Sequence, residues 1–289
     1  MSDTLLKSLS VIKQPLGRRT FMMTGLAAGF AAAAEPVMAQ AIITSAEGLS
    51  VAEVKVPVDG GTIPAYTAMP AQGGPFATVI VVHEIFGVHE HIKDICRRLA
   101  KLGYYAIAPE LFARQGDPSK YKDIASLIED VVSKTPDAEV AGDLDATLAF
   151  AKTQPKADTA RLGMVGFCWG GRQTWLYTEH NPAVKAAVAM YGPLGDGPDP
   201  LEPNQVIDGA QKITTPVLGL YGALDQGIPQ SKVEALRAKL DKGKSGSKIH
   251  VYPDTGHAFF ADYRSSYNKA DAADAWKRLQ AWYKANGVS

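Results

Sequence analysis

Short apolar runs alternate with amphipathic segments along most of this chain. Val51 to Val58 and Thr62 to Met69 alternate apolar and polar positions around Asp59-Gly60-Gly61, which predicts a β-hairpin. Thr78 to Val82 is a continuous β-branched run, the mark of a strand buried on both faces. His91 to Leu102 reads as a helix, with Ile92, Ile95, Cys96 and Leu99 in one apolar phase and Gly103 as its C-cap. Further strands are predicted at Tyr104 to Ala108, at the run beginning with Arg161, and at Lys185 to Tyr191, Pro216 to Tyr221 and Lys248 to Tyr252. Helices over 121–134, 138–152, 172–179, 229–240 and 270–285 separate them.

Strands that alternate with helices demand parallel pairing, right-handed crossovers and helices on both faces. The fold class is therefore α/β: one mostly parallel sheet of about eight strands, with the hairpin as an antiparallel edge. Residues 40–289 read as a single domain, with no internal repeat and no interdomain linker. A hydrophobic content of 46% and a charged content of 21% suit a packed domain. The formal net charge is zero, so nothing argues for nucleic acid or an anionic membrane as partner.

Residues 1–39 have a different pattern. Arg18-Arg19-Thr20-Phe21 is a twin-arginine pair, followed by an apolar run from Met22 to Ala34 and small-residue cleavage sites after Ala39 or Ala41. That order is an export signal, so the mature protein is expected in the periplasm without a stable membrane partner. An exported compartment permits disulfides, but the chain has only Cys96 and Cys168. Cys96 falls in the apolar phase of a helix and reads as a packed core thiol, which leaves Cys168 for chemistry.

Gly166-Phe167-Cys168-Trp169-Gly170-Gly171 turns sharply between a strand and a helix. The pattern G-x-C-x-G at that junction is a nucleophile elbow with cysteine in place of serine. The helix N-terminus there favours a thiolate. Asp225 follows the strand ending at Tyr221, and His257 follows the strand ending at Tyr252. In such sheets the active site lies at the carboxyl ends of the strands. Nucleophile, acid and histidine in that order form an α/β-hydrolase triad: Cys168 attacks, His257 carries the proton, and Asp225 orients the ring.

With these motifs the chain resembles the dienelactone hydrolases, the carboxymethylenebutenolidase branch of the α/β-hydrolase fold. The resemblance rests on His83-Glu84-Ile85-Phe86-Gly87, on Gly103 to Arg114, on Gly166 to Gly171, on Gly222-Ala223-Leu224-Asp225 and on Gly256-His257-Ala258-Phe259. It implies that Glu84 holds the resting thiol proton and helps activate Cys168. It also implies an oxyanion hole from the backbone N–H groups of Ile85 and Trp169, as the general elbow geometry requires. Arg114 stands where the family has an arginine for a substrate carboxylate. The family's second arginine position is Ala261 here, and Arg264, three residues on, is the candidate to replace it. The implied substrate is a small ester or lactone, with or without a carboxylate, cleaved through a thioester. No cofactor is implied, and a monomer or small homo-oligomer is expected.

Other functions compete with this reading. His83, Glu84, His89 and His91 are clustered, but they lack the His-Glu-x-x-His spacing of a helical metal site. A redox role for Cys168 lacks a resolving cysteine nearby in sequence. The alternative from another class is a catalytically inactive α/β-hydrolase-fold binding protein.

Overall fold

The computed structural model describes residues 42–195 and 200–289. The export signal expected over 1–39, and its cleavage sites, lie outside the described residues.

Eight strands form one sheet: β1 (Leu49–Val58), β2 (Gly61–Pro70), β3 (Phe76–Val82), β4 (Tyr105–Pro109), β5 (Ala157–Phe167), β6 (Ala186–Met190), β7 (Val217–Gly222) and β8 (Lys248–Tyr252). Their spatial order is β1-β2-β4-β3-β5-β6-β7-β8. The hairpin β1–β2 is antiparallel, as is its junction with β4, and every pair from β4 to β8 is parallel. The helices are α1 (Glu90–Lys101), α2 (Ile124–Asp130), α3 (Asp137–Lys152), α4 (Trp169–His180), the single turn α5 (Val206–Gly209), α6 (Gln230–Leu240) and α7 (Lys269–Ala285). Mostly parallel pairing with covering helices is the α/β architecture that the alternating pattern predicts, and it agrees with the α/β-hydrolase fold that the resemblance implies.

Two glycines of β5 show both faces covered. A Cβ at Gly163 would press on Tyr283 and Val288, at and beyond the end of α7. A Cβ at Gly166, three residues on and so on the opposite face, would collide with Gly170 O and Thr174 Oγ1 of α4. The central strand thus lacks side chains where helices approach it most closely, one on each side. Cys96 is fully buried in α1, and burial pushes its thiol pKa up, as befits a core residue.

The helix expected over 121–134 is shorter. It starts at Ile124 because the Asp123 side chain caps it, accepting from Ser126 N at 2.8 Å. It ends before Val131, whose φ of −118° and ψ of −65° turn the chain into a short 3-10 segment ahead of Pro136.

Candidate active site

Cys168, Asp225 and His257 arrive at one point from three strand ends. Cys168 occupies the N-cap of α4 with φ 52° and ψ −121°, a left-handed conformation that costs an L-residue energy and is kept where function needs it. Its own N–H donates to Met190 O at 3.0 Å, and its carbonyl accepts from Gly171 N and Arg172 N at 2.8 and 3.2 Å. These bonds tie the elbow to β6 on one side and to α4 on the other.

The turns bearing Asp225 and His257 are stitched together by backbone. Ala223 N donates to Tyr252 O at 2.8 Å and Leu224 N to Thr255 O at 2.9 Å. Gly222 has no Cβ to foul Thr255 O. His257 Nδ1 is consequently 2.7 Å from Asp225 Oδ2, and His257 Nε2 is 3.2 Å from Cys168 Sγ. Asp225 Oδ1 accepts from Gly227 N and Ile228 N at 2.9 and 3.2 Å, so the carboxylate is fixed at both oxygens. Burial disfavours a charged imidazole at His257, but the Cys168 sulfur and the Asp225 carboxylate outweigh it and push the pKa up to about 10.

Glu84 stands beside Cys168 by register. Val82 pairs with Gly166 in the parallel β3–β5 ladder, and Glu84 and Cys168 each lie two residues further along. The carboxylate is fully buried. Tyr263 donates its hydroxyl to Oε2, His89 Nε2 is 3.7 Å from the same oxygen, and Oε1 has no hydrogen-bond partner among the described residues. Burial alone pushes the carboxyl up, yet His89, Arg264 and His91 hold it well below the usual carboxylate range. Arg264 is the permanent charge of these. Burial lowers the pKa of His89 itself, against the raising pull of the Glu84 carboxylate.

The loop that carries Glu84 and Ile85 is pinned from the far side of β4. His83 donates Nδ1–H to Glu84 O at 2.6 Å while its Nε2 accepts from Leu111 N at 3.0 Å, which fixes one neutral tautomer. Glu110 accepts from Val88 N at 2.7 Å and from Phe112 N at 3.3 Å. A Cβ at Gly170 would run into the carbonyls of Val82 and His83, so glycine lets α4 close onto this loop. The N–H groups of Ile85 and Trp169 donate to no acceptor among the described residues. Two unspent donors flanking Cys168 have the geometry that an oxyanion hole requires.

The two arginines singled out in the sequence part company. Arg264 joins the site: it is buried, its guanidinium lies 4.9 Å from the Phe86 ring centroid and 5.6 Å from that of Tyr263, and its charge acts on Glu84. Arg114 does not. Its fork grips Asp143 of α3 at 2.6 and 2.8 Å, with Glu139 at 3.6 Å and Asp59 O at 3.4 Å. The bidentate capacity expected for a substrate carboxylate is spent on tying the β4 loop to α3.

His91 Nδ1 meets Asp262 at 3.0 Å, and among the described residues no three metal-ligating side chains gather as a metal site would require. Tyr263, Glu110 and Tyr191 belong to the site's fabric without a role assigned from sequence, and His89, weighed there only as a metal ligand, stands beside Glu84 instead. Tyr-Arg-x-x-Tyr at Tyr263 to Tyr267 was the one available signal for Tyr263.

Comparison with known proteins agrees with the geometry. Residues 63–287 match the model of the Dienelactone hydrolase family. The chain is 56% identical over 288 residues to a provisional carboxymethylenebutenolidase of Methylorubrum extorquens, covering 99% of each. A provisional carboxymethylenebutenolidase of Escherichia coli is 49% identical over 267 residues, 92% of this chain and 98% of that one. The crystal structure of a provisional dienelactone hydrolase from Klebsiella pneumoniae superposes with a TM-score of 0.80 at 51% identity, covering 82% of this chain and 98% of that one.

Proposed function

The chain belongs to the dienelactone hydrolase family, and from that premise we propose that it is a cysteine-dependent hydrolase of small esters and lactones. The observation that carries the cysteine is the 3.2 Å approach of His257 Nε2 to Cys168 Sγ, backed by Asp225 on Nδ1.

In this reading the Cys168 thiolate attacks the acyl carbonyl carbon. The carbonyl oxygen takes the negative charge and accepts hydrogen bonds from Ile85 and Trp169 N–H. Losing one such donor costs about 3 kcal/mol of transition-state stabilisation. As the carbonyl re-forms, the C–O bond to the departing oxygen breaks and the His257 imidazolium protonates that oxygen. A thioester remains on Cys168, and water, deprotonated by neutral His257, releases the acid. Asp225 holds the ring in the tautomer that both steps need. With its carboxyl held below the usual range, Glu84 keeps a negative charge near the resting sulfur instead of holding the thiol proton that the resemblance assigns to it, and Arg264 draws a carboxylate-bearing substrate towards the site. Export through the twin-arginine pair Arg18-Arg19 completes the proposal, with the mature protein in the periplasm.

A panel of p-nitrophenyl esters, dienelactones and unactivated lactones tests the substrate class. Turnover of activated esters and enol-lactones that is lost in Cys168→Ala is the expected result. Wild-type turnover in Cys168→Ala overturns the cysteine mechanism, and signal in the cytosolic fraction alone overturns export.

A further inference from the structure

Tyr191 follows the last residue of β6, immediately past the contact between Cys168 N and Met190 O that fixes the elbow. Its side chain is fully buried, and its ring meets the His257 imidazole edge-on, with centroids 5.2 Å apart. Two features are unfavourable for a residue that only fills space. The backbone φ is +39°, a region that bulky side chains avoid. The hydroxyl, although buried, has no hydrogen-bond partner among the described residues. A phenylalanine would fill the same volume without an orphaned donor. Strained backbone and unsatisfied buried polarity, found together, point to a group whose partner comes with a ligand.

Sheet order gives the side of the β5 strand from which each group approaches Cys168. Ile85, one oxyanion donor, lies beyond β3 on one side of the nucleophile strand β5. Tyr191, Asp225 and His257 lie beyond β6, β7 and β8, all on the other side. An acyl group whose carbonyl oxygen points to Ile85 and Trp169 therefore presents its departing oxygen to the side shared by Tyr191 and His257. We propose that the Tyr191 O–H donates a hydrogen bond to the departing oxygen of the bound ester or lactone and holds it for protonation by His257. This rests on the cysteine mechanism proposed above.

No proton leaves Tyr191. The His257 imidazolium supplies the proton, the C–O bond breaks as the thioester carbonyl re-forms, and the phenol stays O–H throughout. Burial keeps it so, with the charge of Glu84 adding to the upward push on its pKa.

The test is kcat/KM of Tyr191→Phe across esters of one acyl group whose leaving groups run from p-nitrophenol to simple alcohols, alongside a thermal melt and the Cys168→Ala variant. The proposal expects a loss of roughly tenfold for alkyl leaving groups and little loss for p-nitrophenol, which departs without assistance. It also expects a melting temperature equal to or above that of the wild type, since a buried orphan group has been removed. Unchanged kcat/KM for every ester, or an equal loss for every ester, overturns it. So does a lowered melting temperature, which would show that the hydroxyl has an internal partner. Activity surviving in Cys168→Ala marks failure of the cysteine mechanism instead, and is read separately from the Tyr191 series.

Discussion

The hydroxyl of Tyr263 donates to Oε2 of Glu84, a carboxylate with no exposure to solvent. The two residues are 179 positions apart in sequence, one beyond β3 and the other beyond His257. The bond therefore couples the loop that carries Ile85, the proposed oxyanion donor, to the loop that carries His257. It also accounts for how a buried carboxylate stays ionised: Tyr263 solvates one oxygen while Arg264 supplies the countercharge.

Tyr263→Phe is expected to cost about 1–3 kcal/mol of stability at neutral pH, the range for a buried acceptor that loses its donor. A carboxyl held below its usual range stabilises the fold above its unfolded pKa, and that contribution is lost as pH falls. The gap between variant and wild type should therefore begin to narrow only below about pH 4, where the unfolded carboxyl protonates, and keep narrowing as pH falls towards the much lower range in which the folded carboxyl protonates. Thermal melts from neutral pH down through that range check this.

Asp225→Asn keeps the shape of the side chain but removes the charge that fixes His257 Nδ1–H. A fall in kcat of about three to four orders of magnitude is expected, with KM much less affected, from the wrong tautomer alone. Steady-state kinetics on one activated ester measure it.

His257 carries a stability signature of its own. Its pKa is raised from the unfolded value to about 10, so its contribution is complete below the unfolded pKa and is lost as pH rises through that window. Urea unfolding from near-neutral to alkaline pH should show a steeper decline for the wild type than for His257→Gln. Parallel declines would contradict the assigned shift.

Arg172 and Asp137 form a buried bidentate pair at 2.6 and 2.9 Å that ties α4 to the start of α3. Arg172→Ala strands a buried carboxylate and is expected to cost about 3–5 kcal/mol, whereas Arg172→Met combined with Asp137→Leu should recover most of it. Denaturant midpoints of the three proteins decide the matter.

The convergence of Cys168, Asp225 and His257 was legible because each directly follows an apolar run and sits in a turn with its own residue signature. Strand ends in a parallel sheet converge on one edge, so sequence order alone brought Cys168, Asp225 and His257 together. The interior contacts were not legible. Nothing in the sequence says that Tyr263 reaches Glu84, 179 residues away, or that Tyr191 lacks a partner. Arg114 shows the converse. It follows a family motif, yet α3 presents Asp143 and Glu139 to it, a matter of helix placement that no motif encodes. The helix over 121–134 was drawn too long because the Asp123 cap and the backbone at Val131 outweigh its periodicity.

Intact-mass analysis of a rapidly quenched reaction with an activated ester tests the central claim most directly. The cysteine mechanism expects one acyl adduct per chain, labile to hydroxylamine, mapping to Cys168 and absent from Cys168→Ala. Turnover with the adduct on another residue, or wild-type turnover by Cys168→Ala, would contradict it.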